Sequence, residues 1–170
     1  MVVVKKSTVS AADLLAVIRM MQESGIKFWL DGGWGVDVLA GHQSREHRDI
    51  DIDFDAAHTV KLIDILQRKG YVTEIDELPV RMELHHPLLG YIDIHPFELK
   101  ADGSARQADP FGGWYEIMAE YFGSTVFAGL EIPCISVLGQ KVFHSGYELR
   151  EVDKHDLLII EELMAGGEEK

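Results

Sequence analysis

The sequence contains a single cysteine, Cys134, among its 170 residues. One cysteine excludes an internal disulfide and a zinc site built from several thiolates, and it fits a reducing compartment. The chain has no apolar run near the roughly 18 residues that a membrane-spanning helix needs. Its apolar start at residues 2–4 is too short for the core of a signal peptide. We therefore expect a cytoplasmic protein with no membrane partner.

Basic residues are also scarce. Lys and Arg number 16 against 29 Asp and Glu, which gives a formal net charge of -13 at pH 7. Such a charge repels a phosphate backbone and attracts a cationic small molecule, so we expect a small-molecule substrate and no nucleic acid. The hydrophobic content of 46% is enough for one core in a chain of this length. We predict a single domain over residues 1–170, with its core at about 10–135 and a C-terminal helical part at about 136–165.

Hydrophobic periodicity predicts an α+β fold, with a mixed β-sheet flanked by helices. Helices are predicted from capping residues and helical spacing after Ser10, from about Trp34, over residues 59–69, after Ser136, and after Asp153 and Asp156. Strands are predicted from apolar runs and alternation at residues 28–30, 49–54, 71–75, 81–85, 91–97, and in a hairpin at 125–135. Residues 100–113 are predicted to form a loop, and residues 166–170 are predicted to fray.

The stretch Asp-Ile-Asp-Ile-Asp-Phe at residues 49–54 alternates acidic and apolar residues strictly. On a strand, residues two apart point to the same face, so Asp49, Asp51 and Asp53 share one face while the apolar residues anchor the other. Adjacent carboxylates repel one another unless a hard cation such as Mg²⁺ neutralises them. A pair of such ions suits in-line displacement at phosphorus, which is the chemistry of nucleotidyl transfer.

The acidic stretch also fits two structures without catalytic metals, and the sequence favours neither of them over the metal site. Solvated acids on an edge strand are the usual interpretation of a single surface Asp, but not of three in alternation. An EF-hand loop would need glycine at the position of Phe54 and a bidentate glutamate at the position of Val60. The sequence therefore argues against a calcium loop.

A further carboxylate, Asp93, lies between isoleucines on a later predicted strand. A neighbouring strand can deliver it to the same edge of the sheet, which makes it the natural third metal ligand. Taken alone, Asp93 also fits an outward polar residue on a half-buried strand. Its significance depends on its proximity to Asp49 and Asp51.

Phosphate binding has a candidate at Gly32 and Gly33, which follow a predicted strand and precede a predicted helix. The segment lacks the Lys-Ser/Thr pair of a Walker loop, and Val38 stands where a dinucleotide fingerprint needs its third glycine. Arg45 and His47, just before the acidic strand, offer donors for phosphate oxygens, although such a run is commonly a solvated loop.

A Gly-Gly turn, an Asp-x-Asp strand and a later single Asp together resemble the DNA polymerase β-like nucleotidyltransferase superfamily. More narrowly, the chain is similar to the short lincosamide nucleotidyltransferases. Four segments show this similarity and span most of the chain, namely residues 29–37, 45–54, 91–96 and 143–147.

The resemblance implies transfer of a nucleotidyl group, typically AMP from ATP, to a hydroxyl of lincomycin or clindamycin, with release of pyrophosphate and loss of drug activity. It implies that Asp49 and Asp51 hold Mg²⁺, expected as two ions. Asp93 would complete the site or act as base, and Gly32 and Gly33 would seat the triphosphate of ATP or another nucleoside triphosphate. The resemblance also suggests a homodimer.

Several alternatives remain open from the sequence. Glu83, on the preceding predicted strand, is an alternative base to Asp93. An aminoglycoside nucleotidyltransferase fits the acidic composition, and a non-catalytic nucleotide- or metal-binding module fits the fold alone. A histidine-based metallohydrolase is suggested by the eight histidines of the chain and by His95, which lies two residues after Asp93 on the same strand. Residues 143–147 fit better as a helix end capped by Gly146.

Overall fold

The computed structural model describes residues 4–168. The predicted apolar start at residues 2–3 and the predicted fraying of residues 169–170 lie outside this range. The helices are α1 (Ala11–Ser24), α2 (Gly32–Ala40), α3 (Thr59–Arg68), α4 (Val137–Phe143) and α5 (Glu151–Glu168). The strands are β1 (Phe28–Asp31), β2 (Asp49–Asp55), β3 (Val72–Glu77), β4 (Arg81–His86), β5 (Gly90–Leu99), β6 (Ala105–Ala108), β7 (Trp114–Ile117), β8 (Phe122–Phe127) and β9 (Leu130–Ile135).

The strands form one mixed sheet in the order β3-β4-β5-β2-β1-β9-β8, with β6 paired to β5 and β7. The pairs β2–β5 and β1–β9 are parallel, and the remaining pairs are antiparallel. This arrangement confirms the predicted α+β class. None of the helices within residues 4–168 combines the length and the apolar character that crossing a membrane requires.

Local sequence signals explain the first helix. Ser10 accepts a hydrogen bond from the backbone N–H of Asp13, and the Asp13 side chain accepts one from the backbone of Ser10. This capping box satisfies two amide donors that the first turn leaves free. Leu14, Ile18 and Met21 then lie buried on one face of α1 and pack into the main core beneath the sheet. The predicted helix is therefore confirmed, including its end at Gly25 in the left-handed region.

The prediction of a loop at residues 100–113 is wrong, because this segment contributes β6 to a hairpin with β7. β6 pairs with the far end of β5, where Glu98 lies opposite Arg106. The Arg106 guanidinium also stacks on Trp114 at 3.9 Å. The four residues of β6 are polar or small and show no clear alternation of apolar and polar side chains. The hairpin therefore depends on strand pairing that the local sequence pattern does not show.

The start of α5 also differs from its prediction. The helix begins at Glu151, and Asp153 accepts hydrogen bonds from the backbone N–H and the guanidinium of Arg150. Asp156 is instead buried and binds Arg45. The helix also runs through Gly166 and Gly167, against the prediction that this end frays.

Candidate active site

The sheet register places four carboxylate residues opposite one another across four neighbouring strands. Asp31 lies opposite Asp51, Asp51 lies opposite Asp93, and Asp93 lies opposite Glu83. Directly opposed residues in a sheet have their side chains about 5 Å apart on one face, and like charges there destabilise the sheet. The fold therefore concentrates negative charge in one row, which calls for a compensating cation.

Asp51, Asp93 and His95 form the tightest group within this region. Each offers one ligand atom, and these atoms all lie within 4.8 Å of one another. The Nε2 atom of His95 is 3.4 Å from Oδ1 of Asp51 and 3.8 Å from Oδ1 of Asp93. The sequence predicted the convergence of Asp51 and Asp93, but it placed His95 only in the metallohydrolase alternative. Its two-residue spacing from Asp93 on one strand was the signal that puts it on the same face.

Asp49 lies on the same strand face, two residues before Asp51, opposite Tyr91. It lines the same cleft, but it is outside the tight group and accepts a hydrogen bond at 3.2 Å from the Arg48 guanidinium. Arg48 in turn stacks on the Tyr91 ring at 4.0 Å. The structure thus brings all three predicted acids into one cleft and turns Asp49 toward an arginine.

Burial and mutual repulsion shift the titration of these acids. Burial, followed by the charge of Asp51, raises the pKa of Asp49 to about 7. Burial also raises the pKa of Asp93 to about 6, although His95 and Arg81 lie beside it. Asp53, which was predicted on a wet face, is 1% exposed, and burial raises its pKa well above the usual range. Each shift shows that the charged form lacks sufficient positive compensation.

The donor set fits a divalent cation. Among the described residues, the buried Oδ1 atom of Asp93 has no hydrogen-bond partner, and neither has Oδ2 of Asp53. A buried carboxylate oxygen without a partner is costly, and a bound cation removes that cost. Carboxylate oxygens are the ligands that hard divalent cations prefer.

The amino terminus of α2 lies against this cluster. The Asp31 side chain accepts a hydrogen bond from the Gly32 amide at 2.7 Å and caps the helix. Gly32 has φ 62°, and a Cβ at that position would overlap the Asp51 carboxylate. A Cβ on Gly33 would likewise collide with the side chains of Arg45 and His47. Gly32 therefore allows the helix end to approach the acids closely, and Gly33 allows it to approach Arg45 and His47; the free N–H groups of a helix amino terminus suit an anion.

Arg45 and His47, predicted as phosphate ligands, both lie beside Gly33. Arg45 donates to both oxygens of Asp156, at 2.9 and 2.8 Å, and thereby joins the loop before β2 to α5. His47 is buried, with Nε2 at 2.7 Å from Oδ2 of Asp37, itself fully buried in α2. Their position suits the prediction, but carboxylates are their partners in this structure, so a phosphate role stays a prediction.

Sequence reasoning missed Asp37 and Asp156, because a single acid on a helix gives no signal for a partner far along the chain. Asp37 also accepts hydrogen bonds from the backbone N–H and the hydroxyl of Ser44, and that hydroxyl lies 2.9 Å from Nε2 of His155. These contacts hold the pre-β2 loop between α2 and α5.

Glu83, the alternative base, is the buried β4 member of the row of acids. Arg48 donates to both Glu83 oxygens at 3.2 and 3.1 Å, and the Arg81 guanidinium lies 3.9 Å from Oε2 of Glu83. Arg81 also binds Oδ2 of Asp93 at 2.9 Å, but it leaves Oδ1 of Asp93 free of partners. Of the two candidate bases, Asp93 therefore presents the more available oxygen.

The acids and the α2 amino terminus open into a cleft of about 1190 Å³. The α4–α5 linker, residues 144–150, forms one wall, and β7 contributes Tyr115 to another. α4 ends at Phe143, as the helix-end interpretation of residues 143–147 requires, but its C-cap is His144, so the predicted cap at Gly146 is wrong; the segment also lines the cleft. Trp34 of α2 does not line this cleft; it is a core residue with 1% exposure. The volume is more than a single drug-sized ligand fills, so two substrates fit.

Comparisons with known proteins identify the family of the chain. The model of the family described as aminoglycoside-2''-adenylyltransferase matches residues 13–160. A lincosamide resistance protein from Staphylococcus haemolyticus is 49% identical over 153 residues, which are 90% of this chain and 95% of that protein.

Solved structures show the same fold. The lincosamide antibiotic adenylyltransferase LnuA, solved with lincomycin bound, superposes with a TM-score of 0.85 and 47% identity, covering 92% of this chain and 99% of its own. ANT(2'')-Ia in complex with adenylyl-2''-tobramycin has a TM-score of 0.64 at 16% identity, covers 92% and 97%, and supports the fold alone. The chain therefore belongs to the aminoglycoside-2''-adenylyltransferase family of nucleotidyltransferases, and its similarity to lincosamide adenylyltransferases is the one its motifs predicted.

Proposed function

We propose that this protein transfers AMP from ATP to a hydroxyl of a lincosamide antibiotic, releases pyrophosphate and thereby confers resistance. The observation on which this rests is the convergence of Asp51 and Asp93 beside the amino terminus of α2. The similarity to a lincosamide resistance protein and to a lincomycin-bound adenylyltransferase supports the choice of substrate. Because the reaction consumes ATP, we place it in the cytoplasm.

Asp49, Asp51 and Asp93 are the residues that would hold Mg²⁺, proposed as two ions. When bound, Mg²⁺ supplies charge neutralisation for the phosphates and polarises the reacting oxygens. In this structure Oδ2 of Asp49 accepts a hydrogen bond from Arg48 at 3.2 Å.

The other groups of the cleft have roles in binding and proton transfer. Gly32 and Gly33 bind the triphosphate at the positive end of α2, where the Gly32 N–H, bonded to Asp31 in this structure, must exchange that partner for a phosphate oxygen. The drug hydroxyl oxygen forms a bond to the α-phosphorus, the bond to the β-phosphate oxygen breaks, and pyrophosphate leaves. The hydroxyl proton passes to a carboxylate, for which Asp93 and Glu83 are the two candidates, and both oxygens of Glu83 are already paired with Arg48.

The experiment is incubation of the full chain with ATP, Mg²⁺ and either clindamycin or kanamycin. We expect pyrophosphate release and a drug enlarged by one adenylyl group with clindamycin. Modification of kanamycin alone would reverse the assignment in favour of the aminoglycoside alternative, which the description of the matching family suggests. Binding of ATP without pyrophosphate release, with either drug, would instead indicate a non-catalytic module.

Asp51→Asn tests the chemistry. Loss of one central carboxylate charge should lower kcat by at least about two orders of magnitude while the fold persists, as measured by circular dichroism. Asp64→Asn is the matched control, because Asp64 is an exposed residue of α3 that pairs only with Arg68 among the described residues. Normal turnover of Asp51→Asn would rule out the proposed mechanism.

The homodimer stays a prediction. Light scattering on the purified chain measures its mass in solution, and a monomeric mass would show that the resemblance misleads on this point.

A further inference from the structure

His95 is the residue of the acidic cluster to which the proposed function gives no role. It lies on β5, two residues after Asp93, and its register partner on β2 is Asp53. Its side chain is 18% exposed and faces the row of acids from within the sheet. A mostly buried imidazole among carboxylates is either a counter-charge for them or a ligand beside them.

The positions of the ligand atoms favour a ligand. Two ligands on one ion, each about 2.1 Å from it, lie roughly 3.0–3.5 Å apart. Nε2 of His95 is already 3.4 Å from Oδ1 of Asp51 and 3.8 Å from Oδ1 of Asp93. The first contact is a long hydrogen bond and the second exceeds hydrogen-bond range, and both separations are close to those of two ligands on a shared ion.

The unpartnered oxygen supports the same conclusion independently. Oδ1 of Asp93 is the atom that faces His95, and it has no hydrogen-bond partner among residues 4–168. Asp93 is 8% exposed, so water does not compensate that oxygen freely. His95 hydrogen-bonds Oδ1 of Asp51 at 3.4 Å but makes no hydrogen bond to Oδ1 of Asp93, which leaves that oxygen for a cation.

We infer that Nε2 of His95 is a direct ligand of the divalent cation held by Asp51 and Asp93, which makes the site a mixed nitrogen and oxygen site. The inference rests on the proposed function only in assuming that the cleft holds a divalent cation. Imidazole is a better ligand for transition metals than for Mg²⁺. The chain should therefore bind Mn²⁺ more tightly than Mg²⁺ even without nucleotide.

The test uses the full chain, free of nucleotide, with Mn²⁺ alone. Pulsed electron paramagnetic resonance detects nitrogen bound to Mn²⁺ as a ¹⁴N modulation, which a carboxylate-only site lacks. We expect this modulation in the unaltered chain and in His58→Asn, whose histidine is exposed outside the cleft. We expect its loss in His95→Asn, together with a rise of at least ~10-fold in the Kd for Mn²⁺.

Two results would overturn the inference. One is the absence of ¹⁴N modulation in the unaltered chain, and the other is its persistence in His95→Asn. If His95→Asn does not fold, His95→Gln keeps a polar group of similar reach and is judged by the same criteria. Labelling the unaltered chain with ¹⁵N-histidine gives a check without any substitution, because a ligated imidazole must then show ¹⁵N instead of ¹⁴N modulation.

The outcomes separate this inference from the proposed function. A chain that adenylylates clindamycin but shows no nitrogen on Mn²⁺ refutes the role of His95 alone. A chain that shows the nitrogen but transfers no AMP refutes the proposed function alone.

Discussion

At the scale of single residues, the active site costs folding stability. Opposed carboxylates on neighbouring strands repel one another, and the unpartnered oxygens of Asp53 and Asp93 add a desolvation cost. Such groups persist in a fold when a ligand uses them. The acids should therefore destabilise the cation-free protein and stabilise the cation-bound one.

The burial and repulsion of these acids predict that the stability of the cation-free protein depends on pH. The pKa of Asp49 is about 7 in the folded chain against an ordinary value of 3.8, so the folded state binds the proton more tightly. The free energy of unfolding should then fall as pH rises from about 4 to about 7. Thermal unfolding in EDTA across this range measures the effect.

Asp49→Asn removes the contribution of Asp49 to this pH dependence of stability. We expect it to raise Tm in EDTA at pH 8 by about 2–4 °C, which corresponds to on the order of 1 kcal/mol, and to change Tm little at pH 4. Asp64→Asn should change neither value. An unaltered or lower Tm at pH 8 would show that the ion pair with Arg48 outweighs the repulsion.

At the scale of elements, the close approach of α2 to β2 is the decisive contact. The left-handed φ of Gly32 and the space that Asp51 occupies both require glycine at this position. The helix end thereby brings its N–H groups beside the acids.

Gly32→Ala should therefore displace the Asp51 carboxylate. We expect kcat/KM to fall by at least ~100-fold, because a misplaced group of this kind costs that much, with a loss of stability of about 1–2 kcal/mol from the strained backbone. Gly166→Ala is the control, since a Cβ there meets nothing within 4 Å. Near-normal activity of Gly32→Ala would contradict the role of this contact.

A second contact between elements, Arg45 with Asp156, holds α5 against the loop before β2. Asp156→Asn should lower the free energy of unfolding by about 1–3 kcal/mol, because a buried charged hydrogen bond is lost. It should also raise the KM for ATP, since Arg45 lies beside Gly33. Chemical denaturation and steady-state kinetics measure the two effects.

The control for this prediction is Glu161→Gln. Glu161 pairs with Lys141 at 3.0 Å between α4 and α5, but both side chains are exposed. Its loss should cost at most about 0.5 kcal/mol. Equal effects of the two substitutions would show that burial of Asp156 is unimportant.

At the scale of the whole molecule, the net charge is -13, and a charge of this sign attracts cationic substrates over long range. We expect kcat/KM for an antibiotic that carries a protonated amine to fall several-fold as salt rises from about 0.05 to about 0.5 M, because screening removes the long-range attraction. A flat salt dependence would show that the charge has no role in substrate capture.

Local sequence patterns were sufficient for most of the fold and for part of the site. The α1 capping box, the β2 alternation and the glycines before α2 depend on residues a few positions apart, so the sequence alone shows them. The β6–β7 hairpin and the start of α5 were missed, because one depends on pairing with β5 and the other on a cap at Arg150.

The sequence by itself determined the acidic face of β2, the later Asp93 and the turn at Gly32 and Gly33, because side-chain period and backbone freedom are local properties. Only the tertiary structure decided that His95 joins Asp51 and Asp93, that Asp49 turns to Arg48, and that Arg45 binds Asp156. The physical reason is that strand register and helix docking set these contacts, and both depend on how the whole chain buries its core.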